Sequence, residues 1–220
     1  MDEMIITGHG MNLNRQLEAE EQMRSDLYAV LSRLFFLPPD ADILRSLAES
    51  EPLGEDSQSS ALPEAWRRLR AAANVTIRKE EAINVEYEAL FGGADKAQVM
   101  LFGSYYTNDS MPDKLLRQLH HDLTKLGIGV SSEAIEADSE AEDHIAALTE
   151  AMRRLIYDNE PPHVRHERQK KFFCRYLRPW YENLVSAINT APAANFYKSV
   201  AGLMQAFFDL EKTMLKVDDL

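Results

Sequence analysis

Apolar residues recur along this chain at spacings of three and four, and no two-residue alternation persists beyond a few positions. That period belongs to amphipathic helices, not to half-buried strands. Leu27, Leu31, Leu34 and Phe35 make the first stripe, stopped by Pro38-Pro39, which cannot continue a helix. A short helix over about 40–50 follows, and the small polar residues of 51–62 read as a flexible connection. Pro63 can open the next helix in its first turn, with Trp66 and Leu69 on its face. Ile83, Tyr87, Leu90 and Phe91 form another stripe that ends at Gly92-Gly93.

Residues 92–111 are the longest stretch without helical period, and they carry Phe102, Tyr105 and Tyr106. A loop of that length inside a compact domain is often functional. Leu116, Leu119, Leu123 and Leu126 share the next face, closed by Gly127 and Gly129. From Ser131 to Asp143 there are six acidic residues and no base, a loop leading into a helix whose face is Ile145, Leu148, Met152, Leu155 and Ile156. Pro161-Pro162 separates it from a long segment through Phe172, Phe173, Tyr176, Leu177, Trp180 and Leu184, with a bend expected at Pro179. Phe196, Val200, Leu203, Phe207, Leu210 and Met214 form the last stripe. The pattern predicts an all-α fold: one multi-helix bundle over 15–217, behind a flexible tail at 1–14.

Composition narrows the partners. With 24 basic and 36 acidic residues the 220-residue chain carries a formal charge of −12, which disfavours duplex nucleic acid and anionic membrane surfaces. A cationic partner segment suits it better. A single cysteine, Cys174, excludes an internal disulfide and a cysteine zinc cluster, and fits a reducing compartment. There is no run of 18 apolar residues to span a membrane, and Met1–Gly10 lacks the basic-then-apolar order of a secretory signal. The expectation is a cytoplasmic protein with no stable membrane insertion.

Candidate chemistry is sparse. His163 and His166 have the spacing of two metal ligands, but Arg165 and Arg168 beside them would repel a cation, and no HExxH pattern occurs. His120-His121 point about a hundred degrees apart on a helix. Cys174 has no base near it in sequence, and no phosphate-cradling or nucleophile-elbow motif is present. Two places remain. One is Tyr87-Glu88-Ala89-Leu90-Phe91, whose apolar residues serve either a core or a docking surface. The other is Glu142-Asp143-His144 at a helix head. Asp143 there is either a helix cap or a carboxylate meeting a partner, and His144 a polarised contact or base.

The order of the motifs adds to this. Arg24, Leu27-Tyr28, Leu31 and Leu34-Phe35 followed by Pro38-Pro39-Asp40 resemble the opening helix of the TorD/DmsD/NarJ-type chaperone family. Glu86-Tyr87-Glu88-Ala89-Leu90-Phe91 resembles its EYxxLF motif, and Ser104-x-Tyr106 its loop SxY. Asp143-His144-Ile145-Ala146, with Leu148 and Met152, resembles its Asp-His helix. Phe172-Phe173, Tyr176-Leu177, Pro179-Trp180 and then Phe196-Tyr197 resemble its C-terminal pattern. Three positions depart: Glu142 for a proline, Gly93-Ala94 for Gly-Pro, and Tyr176 for a histidine.

The resemblance implies an all-helical cytoplasmic chaperone for an apo-molybdoenzyme, binding its twin-arginine leader until cofactor insertion and folding are complete. It implies a peptide site drawn from Tyr87, Leu90, Phe91, Ser104, Tyr106, Asp143 and His144, with no catalytic residue, metal or cofactor. Two rival readings are a hydrolase using Asp143 and His144 or a histidine-bound metal, and a helical adaptor for a soluble enzyme. Either a monomer or a homodimer, exchanging helices through 51–62 and 127–142, is compatible with the chain.

Overall fold

A computed structural model describes residues 17–54, 61–93, 97–107, 113–128 and 142–217. Among them the regular structure is helical: α1 (Ala19–Phe36), α2 (Ala41–Glu49), α3 (Ala61–Thr76), α4 (Glu80–Phe91), α5 (Gly103–Tyr106), α6 (Asp113–Lys125), α7 (Ile145–Tyr157), α8 (Pro162–Phe172), α9 (Tyr181–Thr190) and α10 (Phe196–Met214). A 3-10 turn, Ile77–Lys79, precedes α4, and a π-helical segment, Phe173–Leu177, follows α8. The only strand-like pairing among the described residues is one isolated bridge between Phe102 and His144. The chain is an all-α multi-helix bundle, as the stripes predict. The expected tail at 1–14 and most of the acidic stretch 131–143 lie outside the described residues.

The chain divides into two compact units, each made from two stretches: Met1–Ser32 with Phe102–Trp180, and Arg33–Leu101 with Tyr181–Leu220. The boundary at 32/33 falls inside α1, because an uninterrupted helical stripe there supplies both. In the first unit, α7 packs on α8 and on the π-helical segment. Its buried residues include Leu27, Leu31, Leu119, Leu123, Leu148 and Met152. Two polar ties join α1 to α8: Arg24 donates to Gln169 Oε1 at 2.8 Å and Arg165 pairs with Glu21 at 2.8 Å.

In the second unit α10 packs on α3 and α9, and α2 packs on α3. Leu44, Leu62, Leu69, Leu184, Val200 and Leu203 are buried there. Asp40 starts α2 by accepting from the Ile43 amide at 2.9 Å, one of the donors a helix start leaves open. Gly92 and Gly93 close α4, and Gly93 adopts φ +74°, which a residue with a Cβ tolerates poorly.

The break near Pro179 falls earlier than expected. Proline has no N–H, so the Arg175 carbonyl loses its usual donor four residues on. The helix is already widened upstream of it: the Arg178 amide reaches back five residues to Phe173 O at 2.9 Å.

Candidate peptide-binding site

In the second unit the end of α1 sets the arrangement. A helical carbonyl normally accepts from the amide four residues later. For Leu34 and Phe35 those residues are Pro38 and Pro39, and neither has an N–H. Two tyrosine hydroxyls stand in. Tyr197 donates to Leu34 O at 2.7 Å, and Tyr87 donates to Phe35 O at 3.0 Å. Phe91 meets Tyr197 and Tyr87 edge-on, with ring centroids 4.9 and 5.2 Å away. Burial, with the Glu88 charge second, pushes the Tyr87 hydroxyl up to about 12, and burial carries Tyr197 well above its ordinary value. Both remain protonated donors at neutral pH.

Glu86, one residue before Tyr87, caps a different helix. α10 begins at Phe196 with Asn195 at its N-cap, whose side chain makes no capping bond. Glu86 supplies the acceptors instead. Its Oε1 takes the amides of Asn195 and Tyr197 at 2.8 and 2.9 Å, and Oε2 takes Phe196 N at 3.1 Å. A carboxylate at a helix N-terminus also opposes the positive end of the helix dipole. Leu90 is fully buried and belongs to the core of this unit, whereas Tyr87 and Phe91 are half-buried. At the end of α1, Phe36 and Leu37 are 36% and 50% exposed.

In the first unit, Asp143 and His144 latch the loop that carries Ser104 and Tyr106. Asp143 O accepts from Gly103 N at 3.2 Å, and its Oδ2 accepts from Ser104 N at 2.6 Å. Asp143 therefore caps α5, across the chain. The cap of its own neighbour α7 is His144, whose Nδ1 accepts from Ala146 N at 3.1 Å. This corrects the reading in which Asp143 caps the helix that follows it: the chain turns so that the imidazole, one residue later, reaches the first free amide. Accepting at Nδ1 puts the ring proton on Nε2. Burial holds the His144 pKa down to about 4, so the ring is neutral at physiological pH. Its ring also lies edge-on to Phe102, with centroids 5.1 Å apart.

The same loop rests on Trp180. Tyr106 stacks on the indole at 5.7 Å with planes 7° apart, and the Trp180 Nε1 donates to Tyr176 O at 2.6 Å. A Cβ on Gly103 would sit 2.7 Å from that Nε1, which is why the loop needs a glycine there. Tyr105 beside it is 66% exposed. Two departures from the family pattern find partners here: the Tyr176 hydroxyl donates to Asp122 Oδ2 at 2.9 Å, and Glu142 meets the His120 ring.

The seven predicted site residues thus divide. Tyr87, Leu90 and Phe91 belong to one unit, and Ser104, Tyr106, Asp143 and His144 to the other. Leu90 and Asp143 are closed to solvent. Sequence reasoning named Glu86, Trp180 and Tyr197 within motifs without giving them a site role, and passed over Gly103. The available signals were the paired prolines, which strand two carbonyls, and the start of α10, which has no capping bond of its own. The hydrolase reading would need His144 and Asp143 as reacting groups, but the His144 Nδ1 and the Asp143 Oδ2 serve backbone amides. Among the described residues no group of three or more His, Cys, Asp or Glu could hold a metal ion. Nor is any helix among them long and apolar enough to cross a membrane.

The family model described as the nitrate reductase delta subunit matches residues 55–186, more than half of the chain. The chain belongs to that family, the NarJ/TorD-type chaperones, whose members mature molybdoenzymes and partner with their subunits rather than act as catalysts. The match spans the Glu86–Phe91, Ser104–Tyr106 and Asp143–Met152 motifs. No curated protein and no solved structure matches the chain.

Proposed function

We propose that this chain binds the apo-form of a molybdoenzyme catalytic subunit in the cytoplasm. It does so through the subunit's twin-arginine leader, and holds the subunit until cofactor insertion and folding are complete. One observation carries the reading. Tyr87, Tyr197, Glu86, Asp143 and His144 each serve a backbone group. Among the side chains left open beside them are apolar and aromatic ones, Phe36 and Leu37 in one unit and Tyr105 in the other, with the exposed Glu88 carboxylate next to Tyr87. That is the make-up of a docking platform. A leader's apolar, helix-prone stretch would lie on Phe36 and Leu37 with Tyr87 and Phe91 beside them, in the helix-on-apolar-surface mode. Its paired guanidinium groups are drawn by the chain's net charge of −12. Ser104 and Tyr106 offer the first unit's own contact surface, with Asp143 and His144 fixing the loop from behind, and Leu90 supports Phe91 in the same way.

The test is titration calorimetry of a synthetic twin-arginine leader peptide against the native chain and Phe36→Ser/Leu37→Ser. Both residues are exposed, so the melting temperature should hold. Losing two apolar contacts of about 1–2 kcal/mol each should weaken binding by at least about tenfold. A leader that binds neither protein, or both equally, refutes the proposal.

A further inference from the structure

The chain's negative charge is not evenly spread. Between residues 163 and 178 lie Arg165, Arg168, Lys170, Lys171, Arg175 and Arg178, six of its 24 basic residues, against one acid, Glu167. The helix they occupy has a fixed orientation in the first unit, because Gln169, Phe172, Phe173, Tyr176 and Leu177 are buried on one side. Two of the cations are used internally: Arg165 pairs with Glu21, and Arg168 with Asp158. Lys171, Arg175 and Arg178 are exposed, and form no ion pair among the described residues. Lys171 lies in the last turn of α8, Arg175 in the π-helical segment and Arg178 just after it, so three exposed cations fall within eight residues on the solvent side of this stretch.

We infer that this basic stripe is a second docking surface, and that its occupant is an acidic polypeptide segment with carboxylates spaced to match. An acidic segment that lays its carboxylates along these eight residues meets all three cations. The alternatives fit less well. An anionic membrane needs apolar side chains beside the cations. The exposed large apolar residues among those described are Phe36, Leu37, Val75, Val85 and Tyr105, none of them on this helix. A single-stranded nucleic acid stacks its bases on aromatic side chains beside the cations, and Phe172, Phe173 and Tyr176 of this stretch are buried. A second copy of the chain carries the same net charge of −12, and the two repel. That the acidic segment belongs to the client subunit rests on the proposed chaperone role. The stripe itself does not.

The experiment uses fluorescence anisotropy of a labelled deca-glutamate peptide with the full chain at about 0.05 M salt, where screening is weak. A protein of this net charge should repel such a probe, so binding reports the local field of the stripe. Native protein should bind it. Lys171→Gln/Arg175→Gln/Arg178→Gln should lose about tenfold in affinity, the combined effect of three exposed pairs. An equal charge change at exposed positions of the other unit, Arg45→Gln/Arg67→Gln/Arg68→Gln, should leave binding unchanged. Raising salt to about 0.5 M should erase the difference between native and stripe variant. Circular dichroism should show the same melting for both. No binding, or equal loss in the two triple variants, overturns the inference. So does tighter binding of phosphatidylserine vesicles or a single-stranded oligonucleotide, or self-association that the stripe variant abolishes. The leader peptide should bind the stripe variant as it binds native protein. Leader binding lost everywhere while deca-glutamate still binds would remove the leader reading and leave the stripe standing.

Discussion

Replacing Glu86 tests whether a carboxylate from α4 holds the start of α10. It accepts from three amides at 2.8–3.1 Å, those of Asn195, Phe196 and Tyr197. In Glu86→Ala all three lose their acceptor. Asn195 is exposed, so its amide can turn to water, but Phe196 and Tyr197 are buried. Two orphaned buried donors at about 1–3 kcal/mol each give a total cost of about 2–6 kcal/mol. For a chain of this size that corresponds to a fall of roughly 5–15 °C in melting temperature. Glu86→Gln keeps one oxygen, enough for the two amides that share Oε1, and turns an NH2 toward Phe196 N. It should cost about 1–2 kcal/mol. Urea denaturation followed by circular dichroism, on native protein and both variants, gives the two differences. An alanine variant within about 0.5 kcal/mol of native, or a glutamine variant as damaged as alanine, would falsify the capping argument.

Tyr197→Phe leaves the Leu34 carbonyl without a donor in a buried place and should cost about 1–3 kcal/mol. Tyr87→Phe should cost about 1, because water can reach its half-buried site. Negligible costs at both positions, by urea denaturation, would break the link to Pro38 and Pro39. Gly103→Ala drives a Cβ into Trp180 and should cost about 1–3 kcal/mol with a change in indole fluorescence; an unchanged spectrum and stability would show the contact is soft. Unfolded His144 takes a proton near pH 6.5 and the folded ring only near 4, so the unfolded state binds more protons throughout that window. Stability is therefore full above the window and falls as pH drops through it, by about 2 kcal/mol at about pH 5 and about 3 in full. His144→Asn keeps a capping side chain and should flatten that slope; an unchanged pH profile would mean another group sets it.

The helical stripes were legible because each rests on spacing within a few residues. Leu31, Leu123, Leu148 and Leu203 repeat at helical period and all are buried. The stops at Pro38-Pro39 and Gly92-Gly93 were legible for the same local reason. What lay beyond reach were bonds across the chain. Glu86 sits in a helical stretch with nothing local to mark it as a cap, since its amides are more than a hundred positions away. The exchange of roles between Asp143 and His144 was undetermined because either side chain can accept an amide proton, and only the turn before α7 decides which one does. Pro179 was legible as a stop, but the π-helical widening at Phe173–Leu177 begins before it, and no proline or glycine in that stretch announces it.

The tyrosine bonds to the end of α1 also bear on the order in which the chain can mature as it leaves the ribosome. The Leu34 carbonyl waits for Tyr197, some 160 residues later. The second unit, which contains both, needs the stretch from Tyr181 onward, whereas the first has all its residues once Trp180 has emerged. Synthesis from the N-terminus therefore presents the complete set of first-unit residues while α2, α3 and α4 still lack α9 and α10. Contacts this distant in sequence are slow to form. A chain cut off just after residue 180 would keep the Asp143 latch and the Trp180 stack. Its Leu34 carbonyl would lack the Tyr197 donor, whereas Tyr87 would still be present to serve Phe35 O. The protein that attends an unfinished enzyme is thus itself unfinished until nearly its last helix is made.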